Sequence, residues 1–336
     1  MDLEVSRRMV LAGMAALPFA GGAARAAVGG ITRIDPELDA VVDADAPIEV
    51  LASGFSWAEG PVWVKRGGYL LFTDVPANTI HLWRKSGTMP FLSPSGLEGK
   101  VPPEIREAGA NGLAIDGDGA LVLADSGGRR IVRVDLATKR RTVLAERYDG
   151  KRFNSCNDLA IARTGTIYFT DPPYGLRDGD MSAIKELDFN GVFRLTPDGA
   201  VHLIARDLLR PNGIALCPKQ TTLYVAMSDE ARPHVLAYPL AADGSVAGEP
   251  RIFHDMRAQL DQKLPGLPDG LKVDKAGRVF ATGPGGVHVL SGTGKLLGII
   301  GTGKATANCA FGEDGKSLFL TSSDMLARVR LKTSGW

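Results

Sequence analysis

A carboxylate or a carboxamide opens the same short frame at four places. They are Glu59 in EGPVW, Asn157 in NDLAI, Asn212 in PNGIAL and Asp269 in PDGLKV. Each frame begins a run that reads as a buried strand, and a second β-rich run follows closely. Equivalent positions of repeated units meet at one place when the units stand around an axis. Two carboxylates and two amides meeting there make a doubly negative oxygen cage. Such a cage suits one divalent metal ion. Ca²⁺, which takes six to eight oxygen ligands, is the first choice, and Mg²⁺, Mn²⁺ and Zn²⁺ are alternatives. The competing reading is turn chemistry, because Asn-Gly and Asp-Gly are common turn pairs. Glu59 weakens that reading for the set, since glutamate is a poor turn former.

The elements that would hold these groups are legible as repeats. Asn111-Gly-Leu-Ala-Ile leads through GDG to ALVLAD and then RRIVRVD. Asn157-Asp-Leu-Ala-Ile leads to TIYFTD and GVFRLTPDG, and Asn212-Gly-Ile-Ala-Leu to TTLYVAMS and HVLAYPLAADG. Counterparts begin at Glu59, Asp269 and Asn308, which makes six units. Gly/Asp turns such as GDG, EDG and KAG suit tight hairpins. Units of roughly 40–55 residues with about four strands are the mark of propeller blades. The chain is therefore expected to be all-β, a six-bladed β-propeller. The segment around residues 31–55 is expected to supply the closing strand of the last blade. Two connections, Ser93 to Ala110 and Pro172 to Asn190, exceed what a hairpin needs. They read as binding walls or as surface decoration.

Composition agrees with one large β domain. Of 336 residues, 44% are hydrophobic, and 41 glycines and 20 prolines supply turns. The net charge is +1 with no basic stripe, which gives no footprint for nucleic acid. Cys156, Cys217 and Cys309 are odd in number and unpaired in spacing, and read as small hydrophobes. His81, His202, His234, His254 and His288 are scattered and read as structural. Trp57, Trp63 and Trp83 read as packing of the first unit. There is no G-x-S-x-G elbow and no Walker or dinucleotide glycine pattern in a strand-to-helix context.

The N-terminus reads as an address. Ser6-Arg7-Arg8 precedes the apolar stretch Met9 to Ala20, and Ala24-Arg25-Ala26 is an A-x-A type cleavage site. Residues 1–26 are expected to be a twin-arginine-type signal, and residues 27–336 the mature domain, in a periplasm. No membrane partner is expected after cleavage. Oligomeric state is open.

EGPVW, KRFNSCND, IYFTDPPYG, ELDFNGVFRL, RPNGIAL and PDGLKVD together resemble the gluconolactonase, regucalcin and luciferin-regenerating enzyme family, over about residues 50 to 330. The resemblance implies a six-bladed propeller with one divalent metal in the axial channel, held by Glu59, Asn157, Asn212 and Asp269. Asn111 and Asn308 share the frame position but are not ligands in the family pattern. It implies hydrolysis of a sugar lactone to the aldonic acid. Asp269 is then the first choice for the base that takes a proton from water, and Glu59 the second. Asn111, Arg152, Asn154 and Asp171 are candidates for binding sugar hydroxyls. Asp158 would orient a ligand, or serve as a buried turn carboxylate. Alternatives are a phosphotriesterase-like or other ester hydrolase on the same site, or a propeller that binds a ligand without chemistry.

Overall fold

The computed structural model describes residues 27–336, so the expected signal segment lies outside the described residues. Tyr69–Asp74, Leu121–Asp125, Ile167–Asp171, Val279–Gly283 and Ser317–Ser322 are buried at every position. A strand apolar on both faces must be covered on both faces. Each of these is the second strand of an antiparallel sheet wedged between two others, which is why its sequence runs apolar instead of alternating.

Six such sheets form the blades of a β-propeller. The first runs from Ala58–Val64 to Gly87–Leu92, the second from Ala110–Ile115 to Arg141–Ala145, and the third from Leu159–Ile161 to Val201–Ala205. The fourth runs from Pro211–Leu216 to Arg251–Asp255, the fifth from Leu271–Val273 to Leu296–Gly301, and the sixth from Thr306–Gly312 to Met325–Arg330. The core lies between blades. Leu71 of the first packs with Leu123 of the second, and Val225 of the fourth with Tyr168 of the third. The hairpin glycines Gly119 and Gly315 have φ near +85°, a region that favours glycine.

Glu49–Ser53 closes the ring as expected, antiparallel to Met325–Arg330. Arg328 fixes the seam, holding Glu49 at 2.6 Å and Glu313 at 2.8 Å. A second closure was not legible. Gly30–Arg33 adds a fifth strand to the fifth blade, against Leu296–Gly301. One N-terminal segment thus clamps two blades. Its contribution is spread over backbone pairing, which no side-chain motif announces.

The two long connections are joined to each other. Ile105 pairs with Leu176, Arg106 N donates to Gly175 O at 2.8 Å, and Arg177 N donates to Glu104 O at 2.8 Å. Ile105, Ala108 and Leu176 bury a small apolar cluster beneath them. They form one wall.

Candidate functional site

The β-ladder breaks at the frame residue. Register shifts fall between Glu59 and Val62, Ala110 and Leu113, Pro211 and Ile214, and Thr306 and Asn308. In the third and fifth blades the strand begins only after Asp158 and Gly270. A bulge re-aims the residue it contains, here toward the axis.

Where a glycine follows the frame residue, it makes room for the neighbouring blade. A Cβ on Gly60 would lie 2.0 Å from Asn111 O, and one on Gly213 would lie 2.1 Å from Asp269 O. On Gly112 it would meet Asp158 Oδ1 at 2.4 Å. Threonines stitch the same seam: Thr73 Oγ1 donates to Asn111 O, Thr170 Oγ1 to Asn212 O and Thr282 Oγ1 to Ala307 O. The X-Gly pairs therefore record the close approach of adjacent blades, and the turn reading of Asn-Gly and Asp-Gly does not describe them.

This geometry brings Glu59, Asn157, Asn212 and Asp269 to one cavity of about 450 Å³ at the mouth of the channel, with Asn111 beside them. All five side chains belong to the inner rim. Asn111 Nδ2 donates to Asn157 Oδ1 at 2.9 Å, and Asn157 Nδ2 to Asn212 Oδ1 at 2.5 Å. Asn212 Nδ2 donates to Ser228 Oγ at 2.8 Å, and Ser228 Oγ to Pro268 O at 2.6 Å. The donors run one way around the rim, so the amide orientations are fixed by one another. From the other side, Asn308 Nδ2 and Gly60 N donate to Glu59 Oε2.

The electrostatics are those of crowded buried carboxylates. Burial pushes Glu59 up to about 7, against the Gly60 N–H and helped by the charge of Asp158. Burial, then the charges of Glu59 and Asp158, holds Asp269 well above the usual carboxylate range. Asp158 is also raised by burial, with Lys272 opposing. Three carboxylates crowded this way destabilise one another unless a cation sits among them.

That crowding is a test of whether the residues fit a metal. Glu59, Asp269, Asn157 and Asn212 are all oxygen donors from four different blades. Asn111 Oδ1 is buried and has no hydrogen-bond partner. A hard divalent cation fits this donor set. Among the described residues no group of three or more His, Cys, Asp or Glu has metal-holding geometry, which is consistent with a set that takes half of its ligands from amides.

Other expected site residues lie elsewhere. Asp171 accepts from Asn154 N at 2.6 Å and Ser155 N at 2.8 Å, and burial pushes it up to about 7. Asn154 Nδ2 donates to Asp171 O and Phe189 O. Arg152 takes Gly128 O through Nη2 and Glu186 through its backbone N. None of the three lines the cavity. Asp74 explains why: it accepts from Ser56 N and Trp57 N, just before Glu59. An aspartate ending the second strand holds the chain leading to the frame residue in both blades. Asp158 accepts from Leu159 N and Ile214 N, tying the third blade to the fourth.

The polar and aromatic side chains of the cavity that were not legible as such include Trp57, Arg106, Glu107, Tyr174, Ser228 and Glu230. Trp83 is buried packing, whereas Trp57 is 36% exposed at the cavity. Arg106, Glu107 and Tyr174 come from the two joined connections. Only TDPPYG, which contains Tyr174, carried a signal. Burial raises the Tyr174 hydroxyl, so it remains a donor, and it donates to Arg210 O at 3.5 Å.

Residues 57–324 match the SMP-30/Gluconolactonase/LRE-like region. This chain belongs to that family. A gluconolactonase of Zymomonas mobilis subsp. mobilis is 45% identical over 352 aligned positions, covering 99% of each chain. The pentonolactonase XacC of Haloferax volcanii is 26% identical, over 79% of this chain and 81% of its own. Among solved structures, a gluconolactonase from Xanthomonas campestris superposes with a TM-score of 0.80 at 33% identity, over 94% of this chain and 99% of its own. The calcium-binding regucalcin of Agrobacterium tumefaciens, at 18% identity and a TM-score of 0.66, shares the fold. In this SMP-30/gluconolactonase chain the inner-rim frame falls wholly inside the matched region.

Proposed function

We propose that this enzyme is a metal-dependent hydrolase of sugar lactones, opening an aldonolactone such as glucono-1,5-lactone to the aldonic acid. The observation that carries it is the convergence of Glu59, Asn157, Asn212 and Asp269 in one cavity, in a chain 45% identical to a gluconolactonase. When bound by these four, a divalent cation, Ca²⁺ first, polarises the ester carbonyl and favours ionisation of a neighbouring water.

The rest belongs to the chain. Water adds to the carbonyl carbon, the ring C–O bond breaks, and the ring oxygen takes a proton. Glu59 Oε2 is occupied by Gly60 N and Asn308 Nδ2. Asp269, the other rim carboxylate, takes the proton from water. Asn111 Oδ1 is the open acceptor for a substrate hydroxyl. The Tyr174 and Ser228 hydroxyls line the same cavity, and because the Ser228 proton is given to Pro268 O, its oxygen meets a substrate hydroxyl as an acceptor. Export by the signal in residues 1–26 and residence in a periplasm complete the reading, supported by Arg7-Arg8 and Ala24-Arg25-Ala26.

The test is hydrolysis of glucono-1,5-lactone, followed as acid release after chelation and after return of Ca²⁺, Mg²⁺, Mn²⁺ or Zn²⁺. Restored turnover supports the proposal and ranks the ions. Turnover that chelation does not touch overturns the metal site. Activity on phosphotriesters or other esters alone, in a panel at fixed metal, moves the substrate.

A further inference from the structure

Beneath the rim, on the opposite side from the cavity, one ammonium group faces the inner strands. Lys272 Nζ donates to Leu271 O at 3.0 Å and to Asn308 Oδ1 at 3.2 Å. Asn308 Oδ1 also accepts from Cys309 N at 2.9 Å, and Asn308 Nδ2 donates to Glu59 Oε2 at 3.1 Å. Neither residue is among the groups that line the mouth of the cavity.

A primary ammonium only donates, and so does a backbone N–H. Two donors on one side of the Asn308 carboxamide force its oxygen to that side. The amide NH₂ must then face Glu59. Because Nδ2 can only donate, it holds Glu59 Oε2 as an acceptor, together with Gly60 N at 2.5 Å. One carboxylate oxygen of a side chain that lines the cavity is thus pinned by two donors. The site for the amide is cut to shape, since a Cβ on Gly270 would lie between 2.0 and 2.4 Å from three atoms of the Asn308 side chain.

We propose that Lys272, acting through Asn308, is a positioning residue that aims Glu59 at the divalent cation. The proposal rests on the metal site put forward above. It concerns how that site is held in shape, because outer partners of a ligating carboxylate commonly govern metal affinity.

The proposal has a sign that simple Coulomb reasoning opposes. An ammonium near a cation site repels the cation, so removing it by charge alone would tighten binding. Removing the donor that orients Asn308 would loosen it.

The experiment is calorimetric titration of the full chain, without substrate, with Ca²⁺ and in parallel with Mn²⁺. Wild type, Lys272→Met, Lys272→Arg, Asn308→Ala and the Lys272→Met/Asn308→Ala double variant are compared, each with a thermal unfolding curve. Loss of about tenfold or more in affinity for Lys272→Met, with Lys272→Arg within about threefold of wild type, is the expected result. The double variant should bind no worse than Asn308→Ala, since two parts of one relay are not additive. If Lys272→Met does not fold, the Lys272→Arg/Asn308→Ala pair carries the test: affinity kept in the first and lost in the second is the expected pattern. Equal or tighter binding in Lys272→Met overturns the proposal, as does Asn308→Ala with wild-type affinity. Wild-type protein that binds neither ion overturns the metal site itself, which separates that failure from failure of the relay.

Discussion

Gly270 lies so close to the Asn308 carboxamide that a Cβ placed on it would sit 2.0 Å from the Asn308 Cγ. The two residues belong to the fifth and sixth blades, and Asn308 in turn reaches Glu59 of the first. Three blades are therefore keyed together at the site by the absence of one methyl group. Gly270→Ala must displace the amide or the strand. Overpacking of this kind costs about 1–3 kcal/mol. Turnover should fall further than stability, because the displaced amide no longer holds Glu59. A stable Gly270→Ala protein with wild-type kcat/KM would contradict the keyed arrangement.

Asp269 is the only rim carboxylate assigned both a cation and a proton. Asp269→Ala should abolish turnover, by more than about a hundredfold. Glu59→Gln keeps an oxygen donor and the size of the side chain, so it should bind the cation more weakly yet recover part of its activity at high metal concentration. The measurement is initial rate against metal concentration for both variants. Full activity of Asp269→Ala at any metal level would sink the mechanism.

The repeats made the fold legible, because buried second strands and Gly/Asp turns recur at matching offsets around Glu59, Asn111, Asn157, Asn212, Asp269 and Asn308. The rim was legible for the same reason: symmetry maps one offset onto one place. Arg106, Glu107 and Tyr174 were hidden because they arrive on two connections that break the repeat and are joined only in space, through Ile105 and Leu176. Asp171 misled because its offset resembles a rim position, whereas its carboxylate turns back to Asn154 N and Ser155 N. A polar residue near a frame can serve the frame without facing the channel.

That reassignment of Asp171 is testable. Asp171→Ala leaves two backbone N–H groups buried and unpaired, each costing roughly 1–3 kcal/mol. A stability loss of about 3 kcal/mol is expected by denaturant unfolding. Near-normal KM at a temperature where the variant stays folded is expected too. A raised KM with unchanged stability would return Asp171 to the substrate.

Tyr174 should behave in the opposite way. Tyr174→Phe removes a hydroxyl of the cavity lining whose one hydrogen bond, to Arg210 O, is long at 3.5 Å. Its cost should appear in KM and kcat/KM, by about tenfold, with little change in unfolding midpoint. Unchanged kinetics would remove the Tyr174 hydroxyl from the substrate wall.

The fourth and fifth blades meet at a pair of histidines. His254 Nε2 lies 3.3 Å from His288 Nδ1, and the outer nitrogens face Gly294 O and Pro284 O. Burial, reinforced by the charge of His254, lowers His288 from its usual 6.5 to about 4. Burial also lowers His254, with Asp255 opposing. A histidine depressed in the folded state is neutral there while the unfolded chain already takes up a proton. Its stability contribution is present above pH 6.5, shrinks as pH falls from there, and levels off below about 4. The shift of His288 corresponds to roughly 3 kcal/mol across that window. Urea unfolding of wild type and His288→Leu at pH 7 and pH 4.5 measures it, since Leu cannot titrate. The gap between the two proteins should move in favour of the variant by most of that amount at the lower pH. A gap independent of pH would mean that His288 carries its proton in the folded protein as readily as in the unfolded chain.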